Sequence, residues 1–398
     1  MDVFSICLKD MWNNIYKMPM EIKKMCGKIN NLQVASYIRT WPLGSTTEQM
    51  AEYKYWSAKD IKGEYLTDLI ISFAHINQNT WKTYIPDADL PDSHFKNLWN
   101  EYEEIKKRTP NLNMHLSVGG WGADGFSQMS AVPERRKIFI ADVIENVKKR
   151  GFDGIDIDWE YPIGPDSGLE IATSPEDGEH YIALLTELRE AFNEYEKETG
   201  KYITLSTAVP ANPWYVRKLD AKKVASCVDS IKLMSYDYFG IWTKYTGHHA
   251  GLYLNPANKD PDNWSTEQAV DMFLKAGVPA QKIIVGLAFY GRAWRGVPDG
   301  GTHGFSQPFT DTAYPDGISW PDIKELLKEG SGYTRYWDDV AKVPYLYNGD
   351  TFITYVDQDA TQAVCDFVKE RKLGGAMVWE YGHDTECELF DILKKNFD

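Results

Sequence analysis

The sequence has few of the features that mark membrane, disulfide-rich or nucleic-acid-binding proteins. No stretch approaches the roughly 18 consecutive apolar residues that a transmembrane helix needs. The five cysteines (Cys7, Cys26, Cys227, Cys365 and Cys387) are scattered without C-x-x-C spacing, so they predict neither a disulfide framework nor a zinc site. Lys and Arg number 43 against 58 Asp and Glu, and the net charge of −15 argues against a nucleic acid or an anionic membrane as partner.

The N-terminus also lacks the pattern of a secretory signal. Asp2, Lys9 and Asp10 interrupt its apolar residues, and it has no basic start, no continuous apolar run and no small-residue cleavage site. We therefore expect no standard export route, which makes the cytoplasm the default location. A processed or truncated start would leave extracellular action open. Residues 1–32 are interpreted as an N-terminal extension beside the main fold.

Aromatic residues, by contrast, are abundant. The chain contains 14 Trp, 24 Tyr and 16 Phe among 398 residues. One interpretation is a large aromatic core, and composition alone favours it. The other is a cleft lined with flat rings, on which sugar rings stack through their apolar faces.

Short runs of β-branched and aromatic residues alternate with helical patterns, which is typical of βα units. Eight candidate strands follow this pattern: QVASYI from Gln33, LIISFAHI from Leu69, NMHLSVGG from Asn113, GIDID from Gly154, YITLSTAV from Tyr202, SIKLMSY from Ser230, KIIVGLAFY from Lys282 and GGAMVWEY from Gly374. Helices lie between several of them, for example from Pro133 to a stop at Gly151. The sequence therefore predicts an α/β fold, a (β/α)8 TIM barrel with its active site at the C-terminal ends of the strands.

The seventh crossover is too long for a single helix. Residues 293–355 contain one short helical pattern and two strand-like pieces among Gly, Pro, Asp and aromatic residues. We interpret them as a small α+β insertion domain on the barrel rim. The catalytic barrel is then predicted at residues 33–292 and 356–398.

The stretch GFDGIDIDWEYP places four acidic residues in a segment that otherwise looks like a buried strand. Because side chains alternate across a strand, Asp156, Asp158 and Glu160 share one face, which in a barrel is the interior. At about 3.3 Å per residue, Glu160 would stand at the open rim where catalysis occurs. Asp153 is out of step by one residue and is assigned a structural role at the strand entrance.

These stacked carboxylates indicate acid catalysis. Repulsion and desolvation raise the pKa of at least one of them, so we expect a proton to be shared along the row. A protonated carboxylic acid at a cleft rim is what cleavage of a glycosidic bond requires, because the leaving oxygen must accept a proton. A metal site is the alternative, but no ligand-rich loop of the kind that calcium needs lies nearby.

The D-x-x-D-x-D-x-E pattern that starts at Asp153 resembles the family-18 glycoside hydrolases, the chitinase family. Further features of that family occur in the expected order: S-x-G-G with Ser117, Gly119 and Gly120, then Met234-x-Tyr236-Asp237, then Arg292 in FYGRAW, then Trp379 in GAMVWEY. The resemblance covers the chain from about residue 33 to its end. It includes the insertion, which marks the deep-cleft subgroup of the family.

The resemblance implies a retaining mechanism in which the 2-acetamido oxygen of the substrate, not an enzyme nucleophile, attacks the anomeric carbon. Glu160 would protonate the leaving oxygen and then deprotonate the water that opens the oxazolinium intermediate. Asp158 would orient the acetamido group, after sharing a proton with Asp156. Tyr236 would donate its hydroxyl to the acetamido oxygen and hold it in line for attack.

The resemblance also implies a substrate-binding set: Trp379, Asp237, Met234, Arg292, Trp121, Trp242, Tyr37 and Phe73. Trp379 would be the floor under the distorted sugar. For Tyr37 and Phe73, at the ends of strands one and two, packing in the core is an equal alternative to lining the floor. Ser117 and the glycines after it are assigned to close packing beside the acid row.

We therefore expect a monomeric chitinase acting on chitin or chitooligosaccharides, without a cofactor or metal. His248 and His249 are not interpreted as ligands, because adjacent histidines on a loop seldom converge on one ion. One alternative is an endo-β-N-acetylglucosaminidase acting on glycans or cell-wall polymers. Another is a non-catalytic chitinase-like lectin, although such relatives usually lose the acid that Glu160 provides. His75 departs from the residues that many relatives have on strand two, and its role stays open.

Overall fold

The computed structural model describes residues 32–42, 55–163 and 169–398, so the predicted extension lies outside them apart from its last residue. Eight parallel strands form a closed barrel: β1 (Gln33–Arg39), β2 (Asp68–Ile76), β3 (Asn113–Gly119), β4 (Gly154–Asp158), β5 (Thr204–Pro210), β6 (Ser230–Met234), β7 (Ile283–Ala288) and β8 (Gly375–Trp379). Strand β1 closes the barrel because it pairs with both β8 and β2. The predicted (β/α)8 barrel is confirmed.

Helices surround the barrel, and their apolar faces pack against its strands. The longer helices are Leu98–Arg108, Pro133–Arg150, Asp177–Thr199, Thr266–Lys275, Gln358–Glu370 and Glu388–Phe397. Shorter helices are Pro86–Asp89, Phe126–Ser130, Pro213–Lys218, Ala221–Cys227 and Trp320–Leu326, and single 3₁₀ turns are Ala58–Asp60, Gly63–Tyr65, Ala280–Lys282 and Tyr381–His383. Their boundaries follow ordinary capping chemistry. The Ser265 side chain, for example, accepts a hydrogen bond from the Gln268 amide at the start of Thr266–Lys275.

Strand β4 separates the hydrophobic core from the barrel interior, as its alternating sequence predicts. Ile155, Ile157 and the following Trp159 lie in the core between strands and helices. The Trp159 ring stacks on Phe126 at a centroid distance of 5.2 Å. Asp156, on the opposite face, therefore points into the barrel.

A second, antiparallel sheet forms the insertion between β7 and β8. Its strands run in the order Asp311–Thr312, Tyr290–Arg295, Phe352–Thr354, Val343–Tyr347 and Thr334–Asp338, with Ile318–Ser319 also paired to Tyr290–Arg295. The sequence predicts that the insertion begins at residue 293, but the sheet begins three residues earlier. Its first strand in chain order, Tyr290–Arg295, follows almost directly from β7. Trp294 in that strand is buried, and its indole N–H donates to the Gly240 carbonyl at 3.3 Å, which joins the insertion to the loop after β6.

Within the parts of the chain that the structure describes, no helix combines the length and apolar character needed to cross a bilayer.

Candidate active site

The acid row runs up the inside of β4 to the C-terminal rim of the barrel. Asp156 is fully enclosed and Asp158, at the strand end, is 3% exposed. Glu160 follows two residues later and is half-buried. The order from closed interior to open rim is the one that the alternation predicts.

Asp156 accepts four hydrogen bonds from four different strands. One oxygen accepts from the Tyr37 hydroxyl at 2.8 Å and from the Ser117 hydroxyl at 2.9 Å. The other accepts from the Ser206 hydroxyl at 2.6 Å and from the Lys232 ammonium at 2.8 Å. Burial alone would raise the pKa of Asp156, but the lysine charge and these hydrogen bonds outweigh it and lower the pKa. Asp156 is therefore ionised.

The pKa of Asp158 is shifted in the opposite direction. Burial, followed by the negative charges of Glu160 and Asp156, raises its pKa well above the usual range, and Lys232 offsets only part of this. Among the described residues, its Oδ1 atom has no hydrogen-bond partner. The lowered pKa of Asp156 and the raised pKa of Asp158 both favour a proton on Asp158, whereas the sequence predicts a proton shared along the row.

Glu160 has the protonation behaviour of a general acid. Burial raises its pKa to about 7, a hydrogen bond from Tyr161 partly counters this, and the charge of Asp237 adds to it. Near neutral pH a large fraction of Glu160 is thus protonated. A group with a pKa close to the working pH both donates and accepts protons efficiently.

Tyr236 and Asp237 follow directly after β6, on the side of the rim opposite to β2. Burial, then the charges of neighbouring groups, raises the pKa of Tyr236 well above its ordinary value, so its hydroxyl keeps its proton. That hydroxyl lies 3.9 Å from the Met377 sulfur, a weak partner that a stronger acceptor would displace. Asp237 has a left-handed backbone (φ 57°), and both of its oxygens bind Arg292, at 2.8 and 2.7 Å.

Burial would raise the pKa of Asp237, but Arg292 and His249 together lower it well below its usual range. The carboxylate is therefore a permanent negative charge at the rim. It fixes the guanidinium of Arg292, which also lies 5.6 Å from the Trp242 ring.

Aromatic rings form the floor next to the acid row. The half-buried Trp379 at the end of β8 is stacked on Phe73 and lies 6.3 Å from Trp41. Met234 packs against the same cluster. Tyr37 lies 5.7 Å from Trp379 but is only 1% exposed, and its hydroxyl faces Asp156. Tyr37 thus supports the acid row from within β1 and does not line the cleft, which corrects its assignment as a substrate-binding residue.

Two tryptophans stand at the open edge. Trp121 is 61% and Trp242 is 60% exposed, an unusual state for the largest apolar side chain. Tyr161 lies edge-on between Trp121, at 6.3 Å, and Trp214, at 5.2 Å. The rings of Trp121, Tyr161 and Trp214 thus continue the aromatic surface next to Glu160.

The small residues of the S-x-G-G element allow close packing beside the acid row. A Cβ atom on Gly119 (φ 127°) would lie 1.9 Å from the Asp158 carbonyl, and one on Gly120 (φ 91°) would lie 2.4 Å from the Phe73 ring. Asp153 lies outside the row, at the entrance of β4. Its carboxylate accepts from the Met114 amide and pairs with Lys106 and Lys201, so its contacts are structural.

The histidines point to separate partners. His248 lies 2.8 Å from Asp338 in the insertion, whereas His249 lies 3.1 Å from the Tyr290 carbonyl. Among the described residues, no group of three or more His, Cys, Asp or Glu side chains has the arrangement of a metal site. His75 packs edge-to-face on Tyr84 at 6.0 Å, and burial lowers its pKa, which favours the neutral ring.

Sequence reasoning missed several residues of the site. Lys232 and Ser206 contact Asp156, Tyr161 contacts Glu160, and Trp41 joins the floor. A signal for Lys232 was present, since it is the only charged residue in SIKLM and shares the inward phase of Ser230 and Met234.

Comparisons with known proteins agree with this geometry. Residues 33–384 match the family model described as Glycosyl hydrolases family 18. The chain is 34% identical over 330 residues to Chitinase A1 of Niallia circulans, covering 79% of this chain and 46% of that protein. It is 31% identical over 374 residues to Endochitinase 1 of Metarhizium robertsii, covering 88% of this chain and 81% of that protein.

A solved structure, a family 18 N-acetylglucosaminidase from Paenibacillus barengoltzii, has a TM-score of 0.78 at 32% identity, covering 92% of this chain and 100% of that one. The chain thus spans less than half of the bacterial chitinase but the whole of this solved enzyme. Because the match to the family model extends over nearly the full barrel and its insertion, the chain belongs to family 18 of the glycosyl hydrolases.

Proposed function

We propose that the protein is a chitinase, which hydrolyses β-1,4 bonds between N-acetylglucosamine units with retention of configuration. The observation that carries this proposal is the pair of adjacent acids at the rim. Glu160 has a pKa raised to about 7, and burial raises the pKa of Asp158, which lies two residues earlier at the end of β4. The chitinase names of the two curated relatives support chitin as the substrate class.

In the first step, Glu160 gives its proton to the leaving glycosidic oxygen as the C1–O bond breaks. The acetamido oxygen of the same sugar forms a new bond to C1, which yields an oxazolinium ion and a free sugar end. As Glu160 becomes a carboxylate, the Asp158 proton is shared between the two groups. One negative charge then lies close to the positive oxazolinium, where it stabilises the ion.

Tyr236 holds the acetamido group for this attack. Its hydroxyl keeps its proton and, among the described residues, contacts only the Met377 sulfur, so it is free to donate to the acetamido oxygen. The indole of Trp379 supports the sugar ring from below. Because the acetamido oxygen and the sugar ring are both held in place, the attack on C1 becomes a short intramolecular step.

In the second step, the Glu160 carboxylate removes a proton from a water molecule. The water oxygen bonds to C1 from the side that the leaving group vacated, and the oxazolinium reopens to an acetamido group. Two inversions at C1 give net retention, and Glu160 regains its proton for the next cycle.

The test is the hydrolysis of chitohexaose followed by proton NMR. We expect the β-anomer of the new reducing end to form first and to mutarotate later, and we expect no cleavage of cellohexaose, which lacks the acetamido group. Glu160→Gln should still bind chitohexaose but not cleave it. Rapid cleavage of cellohexaose, or the α-anomer as first product, would contradict the proposed mechanism.

A second candidate is an N-acetylglucosaminidase that acts on substrates other than chitin, which the Paenibacillus barengoltzii relative favours. The two are separated by comparing kcat/KM for chitohexaose with that for a glycopeptide carrying an N-linked core. Binding of both substrates by the wild type without turnover would instead favour a lectin.

We also propose that the protein is a monomer, for which light scattering should give a mass near 45.6 kDa.

A further inference from the structure

A lysine lies deep inside the barrel, beneath the catalytic acids. Lys232 projects from β6 and is 2% exposed. Its ammonium contacts the Asp156 carboxylate at 2.8 Å and the Ser206 hydroxyl at 2.5 Å. A buried ion pair of this kind contributes little net stability, because desolvation of the two charges offsets their attraction. Its presence therefore suggests a task other than holding the barrel together.

We propose that Lys232 is a positioning residue that keeps Asp156 ionised and saturated with donors, so that the proton of the acid row stays on Asp158, next to Glu160. This inference rests on the proposed function and deepens it. It concerns how the acid row is charged before substrate binds. A proton held on Asp158 is available to the glutamate as soon as the glutamate protonates the leaving group.

The hydrogen-bond geometry carries the argument. A carboxylate offers about four acceptor positions, two on each oxygen. Asp156 receives four donors, from Tyr37, Ser117, Ser206 and Lys232. No acceptor position is left on Asp156 for a proton carried by its neighbour two residues along the strand.

The charge balance agrees with the geometry. The titratable and charged groups that interact with Asp156 are Tyr37 on β1, Asp158 on its own strand, Tyr181 on the helix Asp177–Thr199 and Lys232 on β6. The Ser117 and Ser206 hydroxyls donate to it as well, and Asp68 on β2 interacts with the same lysine. Asp68 lies 3.1 Å from His115 and is thereby engaged at the closed end of the barrel. Lys232 is then the cation that directly balances Asp156.

Replacing Lys232 by a neutral residue should move only the acidic limb of the pH profile of kcat/KM, and it should move to higher pH. Lys232 favours the ionised forms of Asp156 and Asp158, so its loss raises the pKa of both. Asp156 must be ionised before substrate binds for the proton to stay on Asp158, and without the lysine this ionisation occurs only at higher pH. The acidic limb of the profile therefore moves up. The basic limb follows Glu160, whose pKa depends on burial, Tyr161 and Asp237, so it should stay.

The experiment compares Lys232→Met with Lys282→Met, using kcat/KM for chitohexaose from pH 3 to 9. Lys282 is a matched control, because its ammonium also donates within the protein, to the Ala225 and Val228 carbonyls, but away from the acid row. We expect the acidic limb of Lys232→Met to move up by about one pH unit or more, as for a carboxylate that loses a neighbouring cation. The control should keep both limbs.

An unchanged acidic limb in a folded Lys232→Met, or an equal shift of both limbs, would overturn the proposal.

If Lys232→Met does not fold, the wild type itself provides the test. Protein labelled with ¹³C at the aspartate carboxyl carbons is titrated by NMR, and the signals are assigned from Asp156→Asn and Asp158→Asn. The Asp156 signal should stay ionised from pH 8 to 4 while Asp158 stays protonated well above its usual pKa. Joint titration of both signals would refute the role of Lys232. This measurement needs no turnover, so a failure of the proposed function is recognised separately by an inactive wild type.

Discussion

The Phe73 ring lies nearly parallel to the Trp379 indole, with ring centroids 5.6 Å apart and an angle of 11° between the planes. The two residues belong to β2 and β8, which flank β1 in the closed barrel. The stack therefore exists only because the first and last strands of the barrel meet. It fixes the orientation of the indole that we propose as the floor under the sugar.

Replacing the supporting ring should disturb catalysis without touching the acids. In Phe73→Leu the indole of Trp379 loses its flat partner, and we expect kcat/KM for chitohexaose to fall about two- to tenfold, the equivalent of the roughly 0.5–1.5 kcal/mol of an aromatic pair. Phe390→Leu is a matched control, because Phe390 is fully buried against Phe289, in a core cluster separate from the Phe73 cluster. Equal losses of kcat/KM in the two variants would mean that only general stability is affected.

The pKa of Glu160 predicts the alkaline side of the pH profile. A general acid must be protonated in the free enzyme, and burial raises the pKa of Glu160 to about 7. We therefore expect kcat/KM for chitohexaose to be sustained below that pH and to fall tenfold per unit above it. A profile that stays level up to pH 9 would show that Glu160 is not the acid. Glu160→Gln should lower kcat by about 10²–10⁴-fold while leaving the affinity for chitohexaose intact.

Local sequence patterns were sufficient to predict the barrel and the acid row. The alternation in GIDID determines which side chains of β4 face inward, and this depends only on neighbours in the chain. The partners of Asp156 could not be predicted in this way. Lys232 lies 76 positions and Tyr37 lies 119 positions from Asp156 in sequence. Their contacts depend on strand register and barrel closure, which alternation alone leaves undetermined.

The charge states of the two aspartates could not be predicted from the sequence for the same reason, because they depend on contacts with residues on other strands. Repulsion in the row predicts that at least one carboxyl stays protonated, but two identical aspartates give no reason to choose between them. The lysine opposite Asp156 decides the choice. Tyr37 shows the converse error, because its position on the first strand resembles that of a cleft residue while its hydroxyl is turned into the interior.

Tyr161 should tune the strength of the catalytic acid. Its hydroxyl binds the Glu160 carboxyl and lowers the pKa of that group by stabilising the ionised form. Tyr161→Phe removes the hydroxyl and keeps the ring between Trp121 and Trp214. The pKa of Glu160 then rises, so the basic limb of kcat/KM should move to higher pH while the acidic limb stays. A downward shift of the basic limb would mean that the hydroxyl interacts with the protonated acid instead.

Tyr236→Phe should reduce turnover much more than substrate binding. The hydroxyl is proposed to hold the acetamido oxygen most strongly as positive charge develops at C1, and loss of one such donor costs about 10²-fold in kcat. Tyr238→Phe is the matched control, because Tyr238 lies two positions further along, packs between the barrel core and the insertion core, and is also substituted without loss of the ring. We expect kcat of the control to remain within a factor of two or three of the wild type. If Tyr236→Phe instead raised KM for chitohexaose with kcat unchanged, the hydroxyl would contribute equally to ground-state and transition-state binding, and the acetamido group would have to be aligned by Asp158 alone.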